Sequence, residues 1–109
     1  MKNINELKQY DFHDSLLEAI NYNGNKLTLE IDFCHWKQSY YSDGDEETAD
    51  VIMAFENICD FAMPQVKFNS DEIIEFNILN EKIEITAFND IENITYSFVI
   101  NSSLVEFNI

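Results

Sequence analysis

The stretch that most constrains the fold is LLEAINYNGNKLTLEIDF, residues 16 to 33. The step Asn23-Gly24 predicts a type I′ hairpin turn, because these two residues tolerate the positive φ angles that such a turn requires. After the turn, apolar and polar residues alternate, which indicates a strand with one buried face and one wet face. The residues of the apolar face are Leu27, Leu29, Ile31 and Phe33.

The rest of the chain predicts further strands. Residues 72–79 and 82–88, joined by Asn80-Glu81, predict a second hairpin, and Ile74, Phe76 and Ile78 would share one face of its first strand. Residues 93–100 and 103–109 predict two more strands, and QVKF after Pro64 predicts a short edge strand.

Two segments bear on the fold class. Residues 49–58 fit both a strand and a helix, and we favour a strand because β-branched and aromatic residues are abundant there. Ile4, Leu7 and Tyr10 are spaced as in one or two helical turns. We therefore predict a mainly β protein, a single antiparallel sheet system with a short N-terminal helical segment. Seven or eight short strands would form a sandwich or a half-open barrel.

Charge limits the partners. The 109 residues, which suit a single domain spanning 1–109, include 21 acidic residues and only 6 basic ones, and the net charge is −15. Such a chain is repelled by the nucleic-acid backbone and by anionic membranes, so we expect it to bind neither directly. A basic protein is the partner that this charge favours, although charge of this size also serves solubility.

The N-terminus and the cysteines indicate a compartment. The first residues, MKNINELKQYDFHD, contain no apolar run of signal-peptide length. Cys34 and Cys59 are the only cysteines. We expect a cytoplasmic protein with both thiols reduced.

Residues 12–15, FHDS, place a histidine, an aspartate and a serine side by side. A catalytic triad needs three converging side chains, whereas consecutive residues of an extended chain point to alternate sides, so His13 and Asp14 should diverge. We predict that Asp14 or Ser15 accepts backbone hydrogen bonds where the N-terminal turns meet the first strand. An exposed recognition patch is the alternative. We assign no catalytic residue and no cofactor.

His13 and His35 are the only histidines. With nearby carboxylates they could form the site of a small metal-binding or hydrolytic enzyme, but zinc usually requires three or four ligands. We favour a histidine at a sheet edge and assign no metal ligand. Trp36, the only tryptophan, is predicted to cover the end of the core.

The segment YYSDGDEETAD is rich in carboxylates and begins with two tyrosines. It fails as an EF-hand loop, because Thr48 and Ala54 occupy the positions that require glycine and glutamate. Tyrosines flanked by carboxylates suit a basic partner, whereas a solvated loop whose tyrosines close the core is the alternative. The residues that we predict to bind a partner are His13, Asp14, Tyr40, Tyr41, Asp43, Asp45, Glu46 and Glu47.

The FHDS start, the LTLEIDF strand and the VIMAFENI segment together resemble a group of small bacterial proteins of unknown function. Some members of that group are classed as immunity proteins of polymorphic toxin systems. The resemblance covers residues 12 to 58 and implies a β-rich fold without established catalysis. Its matching positions are Phe12, His13, Asp14, Ser15, Leu27, Leu29, Ile31, Phe33 and Phe55.

Charge and resemblance together favour one function. We expect a non-enzymatic acidic protein, an immunity-type inhibitor that occludes the basic cleft of a cationic toxin such as a nuclease. The alternatives are the small enzyme built on His13 and His35, and a homo-oligomer of unknown function.

Overall fold

The computed structural model describes residues 1–109 and contains eight strands and two 3₁₀ helices. The mainly β class, the antiparallel pairing and the short N-terminal helical segment are confirmed. In chain order the elements are β1 (Lys2–Asn3), η1 (Ile4–Gln9), β2 (Leu16–Asn23), β3 (Lys26–Cys34), η2 (His35–Lys37), β4 (Thr48–Phe55), β5 (Asp71–Leu79), β6 (Lys82–Asn89), β7 (Ile94–Asn101) and β8 (Leu104–Val105).

Six strands form one antiparallel sheet in the order β4-β3-β2-β5-β6-β7, and β1 pairs with β8 in a separate ribbon. The sheet is built from two three-stranded meanders, β2-β3-β4 and β5-β6-β7. They meet along β2 and β5, where only two residue pairs are in register, Leu16 with Glu72 and Leu17 with Asp71. We call this junction the seam.

One face of the sheet carries the core, a single cluster of 20 buried apolar residues. Ile4 and Leu7 of η1 are both 1% exposed and belong to it, as their spacing predicts. Ile58 after β4 and Phe107 after β8 are also buried in this cluster, so the flanking segments cover the sheet. No helix of the chain combines the length and the apolar character needed to cross a membrane.

The first hairpin has the predicted strands but a different turn. Asn23 pairs with Lys26, so the two turn residues are Gly24 and Asn25 rather than Asn23 and Gly24. Only Gly24 has a positive φ, at 65°. Positive φ at the first turn residue alone is the pattern of a type II′ turn, which requires glycine there. The predicted type I′ turn is therefore wrong.

The ambiguous segment 49–58 is a strand through Phe55, as favoured. Val51, Met53 and Phe55 are almost fully buried and extend the apolar face of β3. For this segment the strand-like alternation, and not the helical spacing, predicts the observed structure.

The face predicted for β5 is partly wrong. The register with β6 shifts between Ile73 and Glu75, which marks a β-bulge at Ile74. Ile73 is fully buried, whereas Ile74 is only half-buried, so Ile73 takes the core position that simple alternation gave to Ile74. Phe76 and Ile78 do pack against the core beyond the bulge.

Residues 65–68 form no strand, contrary to expectation. This segment is held by side chains instead. Asn89 Nδ2 donates to the carbonyl oxygen of Lys67 at 2.7 Å and to Asp71 Oδ1 at 2.9 Å. Asp71 is 1% exposed and also accepts a 2.6 Å bond from the Tyr96 hydroxyl. These bonds satisfy a buried carboxylate with neutral donors and fix the loop before β5.

Candidate functional site

The FHDS segment is a turn rather than the start of a strand. The side chain of Asp11 accepts a 2.9 Å bond from the His13 backbone N–H, and Asp14 has a φ of 70°. The turn brings His13 Nδ1 within 3.2 Å of Asp14 Oδ1. The prediction that these two side chains diverge is therefore wrong, because it assumed an extended backbone.

The same segment builds the seam of the sheet. The Asp14 N–H donates to the Ile73 carbonyl at 2.9 Å, and the Ile73 N–H donates to the Ser15 carbonyl at 2.8 Å. The Ser15 side chain is fully buried, and its hydroxyl oxygen accepts a 2.9 Å bond from the Cys34 N–H. The predicted structural role is thus confirmed for Ser15.

Two buried groups tie the FHDS segment to η2. Gln38 accepts from the Asp11 N–H at 2.9 Å and donates to the carbonyls of Asp11 and Cys34 at 2.8 and 2.9 Å. The Cys34 thiol lies 3.2 Å from the Asp14 carbonyl. Burial raises the pKa of this thiol, which keeps it protonated and able to donate.

Lys37 gathers the charges beside this turn. Its Nζ lies 3.1 Å from Asp14 Oδ2, 3.9 Å from Asp11 Oδ2 and 3.3 Å from His13 Nδ1. The hydrogen bond with Asp14 raises the pKa of Lys37, so the ammonium stays charged. Sequence reasoning gave Lys37 no role, although it is the only basic residue between Lys26 and Lys67.

Glu72 is the second residue that sequence reasoning missed. Its carboxyl shares a hydrogen bond with Asp14 across the seam, and this bond raises the pKa of Glu72. The same bond, helped by Lys37, lowers the pKa of Asp14. Of the two carboxyls, Glu72 therefore keeps its proton to the higher pH. No local sequence signal could place Glu72 here, because the two residues meet only through strand pairing.

The carboxyl pair borders an open cleft of about 390 Å³. Ser70, Phe88 and Asp90 complete its lining, together with Leu16. No group of three or more His, Cys, Asp or Glu side chains converges anywhere in the geometry of a metal site.

On the other side of η2 lies the acidic loop. The Trp36 N–H donates to the Glu47 carbonyl at 3.0 Å, and His35 Nδ1 lies 2.8 Å from the Glu46 carbonyl. Because a carbonyl only accepts, Nδ1 carries the proton in this contact. His35 thus fixes the loop and has no contact with His13. The rings of Tyr40 and Tyr41 lie 5.3 and 5.5 Å from the His35 ring.

Trp36 does not cover the core as predicted. Its side chain is 52% exposed, because β3 ends at Cys34 and the turn of η2 rotates the indole outward. Tyr40, four residues later, is 48% exposed. The Trp36 N–H bond to the Glu47 carbonyl and the 3.1 Å bond from the Tyr41 hydroxyl to the Asp45 carbonyl join this segment to the acidic loop. We define the aromatic–acidic surface as Trp36, Tyr40, Tyr41, Asp43, Asp45, Glu46 and Glu47.

The predicted partner-binding residues therefore lie on two sides of one short helix. His13 and Asp14 contact Lys37 at one end of η2, whereas Tyr40, Tyr41 and the loop that carries the acids pack on His35. Asp43, Asp45, Glu46 and Glu47 are all exposed. Comparison of the chain with protein-family models, curated proteins and solved structures finds no match.

Proposed function

We propose that this chain is a non-enzymatic binding protein of the cytoplasm that occludes a cationic protein surface, as an immunity-type inhibitor of a toxin does. The observation that carries the proposal is the aromatic–acidic surface, on which exposed Trp36 and Tyr40 adjoin a run of exposed carboxylates. Aromatic side chains are enriched at protein interfaces, and carboxylates beside them would complement a basic partner.

The carboxylates would speed association with the partner. A chain of net charge −15 attracts a basic partner over a distance set by ionic strength, and this raises the association rate constant. A nuclease toxin fits this role, because a cleft that holds phosphates has to be basic. An acidic loop seated in that cleft would exclude the nucleic acid by charge and by volume.

The aromatic side chains would slow dissociation of the complex. Tryptophan and tyrosine dominate the residues whose removal costs most at protein interfaces. The backbone of η2 is held in place, since the Trp36 N–H bonds to Glu47 and the buried Gln38 side chain bonds to the carbonyls of Asp11 and Cys34. A backbone that is already ordered loses little conformational entropy on binding.

The test pairs the purified chain with purified basic nuclease toxin domains and measures binding kinetics. Replacing both Trp36 and Tyr40 by alanine should raise the dissociation rate constant about thirtyfold, as the loss of a single strong hot-spot residue does. The association rate constant should stay within about threefold, because the charges are unchanged.

Charge reversal tests the steering. The Glu46→Lys/Glu47→Lys variant should lower the association rate constant at low salt more than the Glu81→Lys/Glu84→Lys variant does. This control has the same net charge, and its changes lie in the β5–β6 turn and on β6. Equal effects would mean that net charge alone acts. Failure of the chain to protect cells from any basic toxin on co-expression would sink the proposal.

A further inference from the structure

β7 is an edge strand whose outer side has no partner. It ends the six-stranded sheet, and no backbone hydrogen bond other than those of its ladder with β6 involves residues 94–101. In an antiparallel strand the backbone groups point alternately to the two sides. About half of the residues of β7 therefore present unpaired N–H and C=O groups along this edge.

The sequence of β7, ITYSFVIN, carries none of the features that protect natural edges. It has no charged residue and no proline, and its register with β6 is unbroken over eight residue pairs. Natural sheets blunt such edges with charges, prolines, bulges or very short strands. This absence is pronounced in a chain with 21 acidic residues.

The other edge of the same sheet is partly protected. β4 contains Asp50, and its outer side is bonded to the C-terminal segment at one bridge, Ala54 with Glu106, through two backbone bonds of 2.8 Å. The edge at β7 has neither a charge nor a bridge of this kind.

We infer that β7 pairs antiparallel with β7 of a second copy of this chain, so that the two sheets continue as one in a twofold-symmetric dimer. The uncharged composition of β7 points to the second copy as the occupant. Two chains of net charge −15 repel each other, and β7 is a strand at which they can pair without placing carboxylates directly opposite one another. A basic strand would find no carboxylate on β7 to pair with, although the net charge of the chain attracts it from a distance.

Symmetry restricts the register. A twofold axis perpendicular to the sheet keeps both core faces on one side, so directly opposite residues share a face and the pairing centres on one residue. With Ser97 at the centre, Thr95 faces Val99 of the second copy on the exposed side, and Tyr96 faces Phe98 on the core side. Aromatic and β-branched pairs of this kind stabilise sheets.

Two variants test the pairing with matched chemistry on the exposed side. Thr95→Glu/Val99→Glu places two pairs of like charges across the dimer, whereas Thr95→Lys/Val99→Glu places two opposite pairs. Both share the Val99→Glu change beside Glu84 of the same chain, to which Val99 is paired, so the cost of that change on the monomer is common to them. Circular dichroism and urea unfolding of each variant verify that both fold.

Sedimentation equilibrium measures the outcome. The unaltered chain should form a dimer that tightens with added salt, as screening weakens the repulsion between copies. The Glu/Glu variant should raise the dissociation constant about tenfold or more, and the Lys/Glu variant should remain within about threefold of the unaltered chain. Amide protons of residues 94–101 should exchange more slowly at high protein concentration than at low concentration.

Three results would overturn the inference. The first is a chain that stays monomeric at millimolar concentration and high salt. The second is a dimer that responds equally to both variants, which would place the interface elsewhere. The third is a monomer whose β7 variants lose binding to a different protein, which would assign the edge to a strand of that protein.

Discussion

Replacing Tyr96 by phenylalanine removes a single hydroxyl group, and we expect this to lower the free energy of unfolding by about 1.5–3 kcal/mol. The hydroxyl donates to Oδ2 of Asp71 at 2.6 Å, and Asp71 is almost completely buried. Bonds to charged acceptors are worth roughly twice those to neutral ones. Asp71 Oδ1 keeps its bonds from Asn69 and Asn89 in the variant, whereas the buried Oδ2 loses the Tyr96 donor, which places the cost above that of a neutral bond.

Tyr22→Phe is the matched control. The Tyr22 hydroxyl donates to the neutral carbonyl of Ile58 at 2.9 Å, so the same chemical change should cost only about 0.5–1.5 kcal/mol. Urea unfolding followed by circular dichroism gives both values, provided that the slopes with urea agree. The charge-assisted reasoning is refuted if the Tyr96 variant loses no more stability than the Tyr22 variant.

Alkaline pH provides an independent check on Tyr96. Burial, with the bond to Asp71, raises the pKa of its hydroxyl far above the usual value of about 10. The folded state then retains a proton that the unfolded state releases, so the free energy of unfolding falls as the pH rises above about 10. The slope is at most about 1.4 kcal/mol per pH unit, less solvent screening of this half-buried group. Tyr96→Phe should lack this contribution, whereas Tyr22→Phe should retain it.

Two further predictions concern the seam and β5. Because its bond to Asp14 raises the pKa of Glu72, the folded state holds this proton more tightly, and stability should fall as the pH rises through the titration range of Glu72. The Glu72→Gln variant has no such proton, so its melting temperature should not show this decline with pH. Parallel curves of melting temperature against pH for the two proteins would contradict the role given to Glu72. Ile73→Ala should cost about 2–4 kcal/mol in urea unfolding and Ile74→Ala much less. The reverse order would contradict the bulge.

Alternation predicted the strands well, because burial of one sheet face imposes a period of two on the sequence. It succeeded for β3, where Leu27, Leu29, Ile31 and Phe33 all face the core. It failed at β5, where the bulge at Ile74 inserts one extra residue and so breaks the period of two. It also failed at Trp36, because a 3₁₀ turn replaces the strand before the indole is reached.

The candidate site was less predictable, because its contacts depend on tertiary pairing. Asp14 adopts a left-handed conformation that an extended reading excludes, and this alone brings His13 beside it. Glu72 reaches Asp14 only because β2 and β5 are neighbours in the sheet. The acidic loop, in contrast, is local in sequence, and its exposed position follows from its composition.

The narrow seam has a consequence for motion. Long hydrogen-bond ladders between consecutive strands hold each meander together. The two meanders are joined to each other by two registered residue pairs and the few bonds of the FHDS turn. We therefore expect the seam to open before the ladders within the meanders do, and the amides of Asp14 and Ile73 should report this opening in native-state hydrogen exchange below the free energy of global unfolding. Opening of the seam would move η2, which bears Trp36, away from β5. A change that strengthens the bonds of the seam should therefore also reduce the motion of the aromatic–acidic surface.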